Sequence, residues 1–205
     1  MTRVYFVRHA QPEHDWEEDR TRPLTEEGKK DSAIVLEFLK DKKIDTFYCS
    51  PYKRSMDTIA EAADFFTKEI ITDERLRERE KGLDGNNHGM FRKRWADHNY
   101  HEEGGESIAM VQKRNIEALN EILSDNTDKD IVIGTHGTAL STILNFYDNN
   151  FGCEDFLRII DWMPYIIELD FQSSCNEMES ECPSYSFKLI GKHEHCYIEK
   201  EFKGK

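Results

Sequence analysis

Val4-Tyr5-Phe6-Val7-Arg8-His9-Ala10 is the stretch of sequence from which the fold can be worked out. Its four apolar residues, rich in β-branched and aromatic types, predict a short buried strand. Arg8 and His9 follow at the C-terminal end of that strand, which is where open α/β sheets bind their ligands. A permanent cation beside a potential nucleophile suits a phosphoryl group. The stretch therefore favours a phosphoryl site here, and a chance basic pair on a loop is the alternative.

Length, charge and cysteine content predict one soluble domain. A chain of 205 residues is long enough for one substantial core, so we expect a single domain over residues 1–205. No apolar run approaches about 18 residues and no signal peptide precedes the first strand, so we expect a cytoplasmic protein without a membrane partner. Five cysteines, an odd number without a regular framework, fit reduced thiols.

The net charge narrows the range of partners. A formal charge of -13 argues against nucleic acid as a partner. It also repels an anionic substrate at long range, so any phosphate site must be locally basic. The composition does not predict an oligomeric state.

A polar loop and a helix follow the first strand. The loop covers Gln11–Arg22, and the helix is predicted over Thr25–Lys40 because Thr25 is a good N-cap. Gly28 costs helix stability, which predicts close backbone packing at that position. Arg20 and Arg22 either remain solvated, as is usual for a charged loop, or reach a phosphate from its rim.

The second strand, predicted over Ile44–Cys49, leads to another candidate anion site. Ser50 as N-cap and Pro51 at the first helical position predict a helix start. Arg54 then falls in the first turn, beside free backbone N–H groups that attract anions. A cation is disfavoured at a helix N-terminus unless something negative joins it. We therefore prefer a ligand-binding role for Arg54 over an ordinary surface ion pair.

A second histidine marks another strand–helix junction. Asp130–Gly134 predicts a clear strand, and Thr135-His136-Gly137-Thr138 delivers His136 just before a helix of strong apolar spacing. A helix N-terminus disfavours a protonated histidine unless a bound anion compensates. His136 is therefore a second candidate ligand for an anion.

The order of the predicted elements defines the fold class. The remaining elements are a strand near Glu69–Ile71, helices over Ser107–Asn126 and Phe156–Ile160, strands over Tyr165–Phe171 and Tyr185–Leu189, a polar loop over Gln172–Ser184, and a peripheral tail from Lys192. Strands that alternate with helices predict an α/β three-layer sandwich, with a mostly parallel central sheet and helices on both faces. The C-terminal ends of its strands would bring together four side chains, Arg8, His9, Arg54 and His136. Together with two helix N-termini they would form a site for a dianionic phosphate.

These motifs, taken together, resemble the histidine phosphatase superfamily with its phosphoglycerate mutase-like fold. They appear in the order typical of that family. The matching segments are Val7-Arg8-His9-Ala10, Pro23-Leu24-Thr25 with Gly28, Ser50-Pro51 with Arg54 and Thr58, Leu76-Arg77-Glu78 with Gly82, Gly105-Glu106-Ser107, and Thr135-His136-Gly137. Two departures are Ala10 in place of the usual glycine and Leu83-Asp84-Gly85-Asn86 in place of an aromatic-acid-glycine segment.

The resemblance implies a mechanism and a set of site residues. His9 would attack phosphorus and form a phosphohistidine, with Arg8, Arg54 and His136 on the phosphoryl oxygens. Glu78 would protonate the leaving oxygen and then activate water. The implied substrate is a small phosphomonoester, and no metal or other cofactor is expected. Further substrate-binding residues implied at the rim are Gln11, Arg22 and Gly137.

Three functions remain open from the sequence, of which a phosphomonoester phosphatase is preferred. A phosphoglycerate mutase must exclude water and surround a bisphosphate with basic groups. The segment Gly82–Gly104 is short but contains Arg92-Lys93-Arg94, and it predicts an open rim that admits water. The third possibility, a non-catalytic phosphate-binding scaffold, is disfavoured because all the expected chemical groups are present.

Metal binding was the other chemistry to weigh. Two histidines at strand ends could ligate a metal, but the arginines beside them would repel a cation. His193-Glu194-His195-Cys196, with Cys175 and Cys182 upstream, is another possible cluster. Its spacing fits no standard zinc site. We therefore expect no metal.

Overall fold

A mixed six-stranded sheet forms the centre of the molecule in the computed structural model, which describes residues 1–83, 88–175 and 185–200. The strands are β1 (Thr2–Arg8), β2 (Thr46–Cys49), β3 (Ile70–Thr72), β4 (Asp130–Thr135), β5 (Trp162–Cys175) and β6 (Tyr185–Glu199). Their order across the sheet is β3-β2-β4-β1-β5-β6. Strands β1 to β4 are mutually parallel. β5 pairs antiparallel with β1, and β6 pairs antiparallel with β5.

Helices cover both faces of this sheet. They are α1 (Glu26–Asp31), α2 (Ala33–Leu39), α3 (Lys53–Phe65), α4 (His88–Ala96), α5 (Ile108–Asp125), α6 (Gly137–Tyr147) and α7 (Cys153–Ile159). Side chains of β1 alternate between two cores: Val4 and Phe6 pack with the side of α4–α7, whereas Tyr5 and Val7 pack with α2 and α3. The predicted α/β three-layer sandwich with a mostly parallel sheet is confirmed.

The first predicted helix is interrupted at Ser32. Thr25 is its N-cap as expected, and its hydroxyl accepts a hydrogen bond of 2.8 Å from the N–H of Gly28. The Ser32 hydroxyl donates to the carbonyl of Lys29 at 2.7 Å. A serine that bonds a carbonyl of the preceding turn competes with the helical ladder. The segment consequently forms α1 and α2 with one residue between them.

Other elements also differ from the predictions. α3 begins at Lys53 with Tyr52 as N-cap. The Ser50 hydroxyl lies 2.7 Å from Nε2 of His136 and also accepts from the N–H of Tyr52 at 3.3 Å. The segment predicted as an open rim contains α4. The last strand was predicted to end at Leu189 but extends to Glu199. Residues 192–199, predicted as a peripheral tail, therefore belong to β6 and pair with β5. Residues 176–184, most of the predicted polar loop, lie outside the described residues.

Within the candidate metal cluster near the C-terminus, His193-Glu194-His195-Cys196, the Glu194 carboxylate pairs with Arg158. A different group of potential ligands shares only His193 with that cluster. Glu168, Asp170 and His193 lie close enough to share an ion. The Arg3 guanidinium, however, lies 2.9 Å from Glu168 and 2.8 Å from Asp170, so a cationic side chain already pairs with both carboxylates. His195 adds a contact of 2.7 Å to Glu168. Cys182 lies outside the described residues.

No helix within the described part of the chain is both long enough and apolar enough to span a membrane. Cys49, Cys153 and Cys196 are free thiols.

Candidate active site

A cavity of about 320 Å³ lies where β1 and β4 end. It contains four of the five predicted catalytic side chains, and the fifth, His136, lies beside it with its ring 5.2 Å from that of His9. The lining residues are Arg8, His9, Pro12, His14, Asp19, Arg22, Arg54, Glu78, Arg79, Lys81, Phe91, Gly137, Thr138, Phe156, Ile160 and Met163.

His9 has one ring nitrogen engaged and one available. Its Nδ1 lies 2.7 Å from the carbonyl oxygen of Ala10, so Nδ1 carries the proton that this contact requires. Nε2 forms no hydrogen bond to any described residue. Burial lowers the pKa of His9 well below its ordinary value, and the charges of Arg54 and Arg8 lower it further. The side chain is therefore a neutral imidazole with a free Nε2 at the cavity.

The loop that carries His9 is fixed by Thr58. The N–H of Ala10 donates to the Thr58 hydroxyl at 2.9 Å, and that hydroxyl donates to the carbonyl of Arg54 at 2.7 Å. Thr58 lies one turn after Arg54 in α3, so this helix positions both the loop after β1 and the arginine. The Ala10 side chain is buried in the position of the expected glycine, and its backbone does not have the positive φ that would require glycine.

Arg8 is a buried cation anchored by backbone carbonyls. Its Nη1 donates to the carbonyls of Ile159 at 2.6 Å and Trp162 at 3.3 Å, while its Nε has no partner among the described residues. A Cβ on Gly137 would lie 3.2 Å from the guanidinium carbon, so glycine is what allows Arg8 to approach α6 this closely. Burial lowers the pKa of Arg8 to about 10, which still leaves it protonated at neutral pH.

Arg54 and Arg22 share one carboxylate, that of Asp19. Arg54 donates to the Asp19 carbonyl at 2.6 Å and to its carboxylate at 3.3 and 3.4 Å. Arg22 lies 2.8 Å from the same carboxylate. Burial lowers the pKa of Arg54, and the charge of Asp19 opposes that change. The predicted contact of Arg54 with an anion is thus made, in this state, by the protein itself.

His136 is held by Ser50. The Ser50 hydroxyl lies 2.7 Å from Nε2 of His136, and Nδ1 is buried without a partner among the described residues. Burial lowers the pKa of His136 well below its ordinary value, and the charge of Arg54 adds to that effect. If Ser50 donates to Nε2, the ring proton is on Nδ1, where it is free to be donated to an anion.

Glu78 lies across the cavity between two backbone donors. One carboxylate oxygen accepts from the N–H of Arg79 at 2.7 Å, and the other accepts from the N–H of Thr138 at 3.0 Å. Thr138 is in the first turn of α6, directly after His136 and Gly137. The same helix start therefore positions Glu78 and His136.

The rim residues predicted from the sequence separate into two groups. Arg22 and Gly137 line the cavity, whereas Gln11 does not. The Gln11 side-chain oxygen instead accepts from the Thr25 hydroxyl at 3.1 Å, which turns it toward α1. Arg20 pairs with Glu74 and also lies away from the cavity.

Several lining residues were not predicted. Arg79 and Lys81 lie in the charge run that follows Glu78, and their closeness in sequence to that residue is the signal that could have indicated them. Asp19 carries no such signal. The apolar wall comes from two parts of the chain that are far apart in sequence. They are Phe91 of α4 and the segment at the end of α7 and the start of β5, through Phe156, Ile160 and Met163.

The charge of the cavity is opposite to that of the whole chain. Five cationic side chains and two carboxylates line it, in a protein of net charge -13. Burial lowers the pKa of Lys81, and Asp19 opposes this change, while Arg22 lowers the pKa further. Arg79 is nearly buried, and its Nη2 has no partner among the described residues. The cavity is therefore suited to a multiply charged anion.

Comparison with known proteins agrees with this geometry. The family model described as "Histidine phosphatase superfamily (branch 1)" matches residues 4–160. Phosphoserine phosphatase 1 of Hydrogenobacter thermophilus is 29% identical over 154 residues, which are 66% of this chain and 71% of that protein. A 2,3-bisphosphoglycerate-dependent phosphoglycerate mutase of Thermoplasma acidophilum is 44% identical, but over only 55 residues, 27% of this chain and 28% of that one.

A solved structure extends the likeness to the whole fold. Phosphoserine phosphatase of Entamoeba histolytica, in complex with 3-phosphoglyceric acid, superposes with a TM-score of 0.69 at 23% identity. The superposition covers 92% of this chain and 97% of that chain. The family match spans every predicted catalytic residue from Arg8 to His136. The chain therefore belongs to branch 1 of the histidine phosphatase superfamily and is a phosphatase.

Proposed function

We propose that this phosphatase hydrolyses small phosphomonoesters without a metal, through a phosphohistidine on His9. The observation that carries the proposal is the contact of 2.7 Å between His9 Nδ1 and the Ala10 carbonyl. It leaves Nε2 as the unprotonated nitrogen at the mouth of a cationic cavity. Nucleophilic catalysis needs a histidine in this neutral, oriented form.

The first step transfers the phosphoryl group to His9. Nε2 forms a bond to phosphorus while the ester P–O bond breaks. Arg8, Arg54 and the Nδ1 proton of His136 hold the phosphoryl oxygens and stabilise the charge that is spread over them. Because these cations surround the reacting group, they supply the neutralisation that a metal provides in other phosphoryl-transfer sites.

The second step releases inorganic phosphate. In the first step Glu78, in its protonated form, gives its proton to the leaving oxygen. In the second step its carboxylate takes a proton from the attacking water. Water forms the new P–O bond, the P–N bond breaks, and Nε2 regains its lone pair. Glu78 lies in the loop after β3, lines the cavity and is bonded to the first turn of α6, and this position supports the double role.

The substrate we propose is a phosphomonoester whose alcohol part carries a carboxylate, such as phosphoserine or 3-phosphoglycerate. The support is the surplus of cations in the cavity after a phosphoryl dianion is bound, with Arg79 and Lys81 as the groups for the carboxylate. The substrates named for the two phosphoserine phosphatases described above agree with this class. The mutase alternative is less supported, since the mutase relative matches little of the chain.

Labelling of the intermediate tests the proposal. Purified enzyme is mixed with ³²P-labelled phosphoserine, quenched within milliseconds in alkali, and checked for label that is stable to base and lost in acid. We expect such label in the unmodified enzyme and none in His9→Ala. His193→Ala, which changes an exposed histidine on β6, should label normally. Label that persists in His9→Ala would overturn the assignment of the nucleophile.

A further inference from the structure

Asp19 is the acidic residue that contacts the phosphate-binding arginines. It lies near the end of the loop Gln11–Arg22, lines the cavity, and is bonded to both Arg54 and Arg22. A carboxylate there stands where the proposed mechanism requires a phosphoryl oxygen. Because two anions cannot use the same guanidinium N–H groups, Asp19 and the substrate compete for Arg54.

The bonds between Asp19 and Arg54 differ in length. The backbone carbonyl of Asp19 accepts from Nη1 at 2.6 Å, whereas the carboxylate oxygens lie 3.3 and 3.4 Å from Nη1 and Nη2. Charge-assisted hydrogen bonds are normally about 2.7–2.9 Å long, so the carboxylate contacts are weak. The carbonyl alone can keep Arg54 oriented when the carboxylate leaves.

Arg22 offers the carboxylate a second place. Its Nη1 lies 2.8 Å from Asp19 Oδ1, and 12% of its side chain is exposed, compared with 4% of Arg54. Asp19 itself is 29% exposed, so its carboxylate can rotate toward solvent while it remains paired with Arg22. The exchange needs no movement of α3.

We propose that the Asp19 carboxylate is an internal anion that occupies Arg54 in the free enzyme and is exchanged for the phosphoryl group of substrate or product. This inference rests on the proposed function, since it assumes that phosphate binds at Arg54. The internal anion lowers the affinity of the site for free phosphate, because the ligand binds only the fraction of enzyme in which Arg54 is free. Weak binding of the product then allows its rapid release.

Binding of inorganic phosphate and of vanadate, measured by calorimetry without turnover, tests the exchange. Asp19→Asn keeps the backbone carbonyl and the size of the side chain but removes its charge. We expect it to bind phosphate about tenfold more tightly, as an occupied fraction near nine-tenths implies. KM should fall in the same variant and kcat should not rise, because tighter phosphate leaves more slowly. Asp15→Asn, the same charge change at an exposed position on the same loop, is the matched control and should leave affinity within about twofold.

The outcomes separate this inference from the proposed function. If the unmodified enzyme binds no phosphate, or if Arg54→Ala binds it equally well, the proposed phosphate site itself is wrong. If phosphate binds at Arg54 but Asp19→Asn leaves the affinity unchanged or weakens it, Asp19 only positions the arginine and the exchange is refuted. A matching gain in Asp15→Asn would also refute it, since the effect would then be long-range charge. Circular dichroism of each variant verifies that the fold is intact.

Discussion

The carboxylate of Glu78 and the backbone N–H of Thr138 are joined by a hydrogen bond of 3.0 Å, which ties the residue proposed as proton donor to the first turn of α6. His136 caps the same helix and Gly137 allows Arg8 to approach it. One helix start thus organises the proposed proton donor and two of the proposed phosphoryl ligands. Relative placement of the donor and the phosphoryl ligands is what orients an in-line transfer.

Replacing Glu78 by glutamine removes the ionisable carboxyl group but keeps the shape of the side chain and one acceptor oxygen. We expect kcat/KM for phosphoserine to fall by roughly 10²–10⁴-fold. The loss should be smaller in the bond-breaking step for aryl phosphates with acidic phenols, because those leaving groups need no proton. Steady-state rates across a series of leaving groups measure this difference. Glu80→Gln, two residues away and exposed outside the cavity, is the control. An equal loss for every leaving group would contradict the role of Glu78.

Two buried neutral histidines should make the protein less stable in mild acid. His9 and His136 both have a pKa well below the ordinary value. Below about pH 6.5 the unfolded chain protonates these residues and the folded chain does not, so the unfolded state binds more protons. The free energy of unfolding should therefore fall as pH falls, by up to about 1.4 kcal/mol per pH unit for each residue.

Urea unfolding between about pH 7.5 and about pH 5 measures this slope. His136→Gln should remove the contribution of one histidine to the slope of unfolding free energy against pH. His193→Gln, at an exposed site, should leave the slope unchanged. A slope that stays the same in both His9→Gln and His136→Gln would show that these two residues are protonated in the folded protein.

Loss of the Ser50 hydroxyl should disturb the orientation and tautomer of the His136 ring and so lower kcat. In Ser50→Ala the ring loses its contact of 2.7 Å at Nε2 and is free to change tautomer or rotate. Misplacement of a positioned group by about 1 Å can cost about 10²-fold in rate, and we expect a loss in kcat of up to that size. Nitrogen NMR of His136 should show a changed tautomer, and Ser50→Thr should restore both signals and rate. Normal kcat in Ser50→Ala would mean that packing alone orients His136.

Gly28 should tolerate no side chain. A Cβ at this position would lie 2.3 Å from the backbone oxygen of Gln11, which cannot move as a flexible side chain could. Gly28→Ala should lower the free energy of unfolding by about 1–3 kcal/mol. Gly152→Ala, where the nearest atom to the added Cβ lies 4.0 Å away, should cost less than about 1 kcal/mol. Urea unfolding of both variants checks the difference, and equal costs would contradict the close approach at Gly28.

The predictions from sequence were accurate where the signal was local. The apolar run of β1, the N-cap at Thr25 and the strand before His136 each follow from neighbouring residues. Parallel strands align their ends, so Arg8, His9, Arg54 and His136 met as expected even though only short segments were recognised. The position of Glu78 followed from the resemblance to the family.

What the sequence did not reveal depends on contacts between distant segments. The pairing of Asp19 with Arg54 and the contact of Ser50 with His136 join side chains that are far apart in sequence. Helix α4 has mixed polar and apolar residues and no clear stripe, so the segment was expected to be an open rim. The length of β6 reflects its pairing with β5. β6 is an edge strand, and charged residues such as Lys192 and Glu194 are common in edge strands.

The central position of β1 has a consequence for how the chain is made. Its partners β4 and β5 begin at residues 130 and 162, and the Arg8 guanidinium bonds the carbonyl of Ile159, 151 residues later. A chain that emerges from the ribosome N-terminus first must therefore keep this strand, with its buried side chains, unpaired until β4 and β5 have been made. Such non-local pairing is slow and exposes an aggregation-prone segment in the meantime. The proposed nucleophile is thus synthesised before the later strands and helices that form its surroundings.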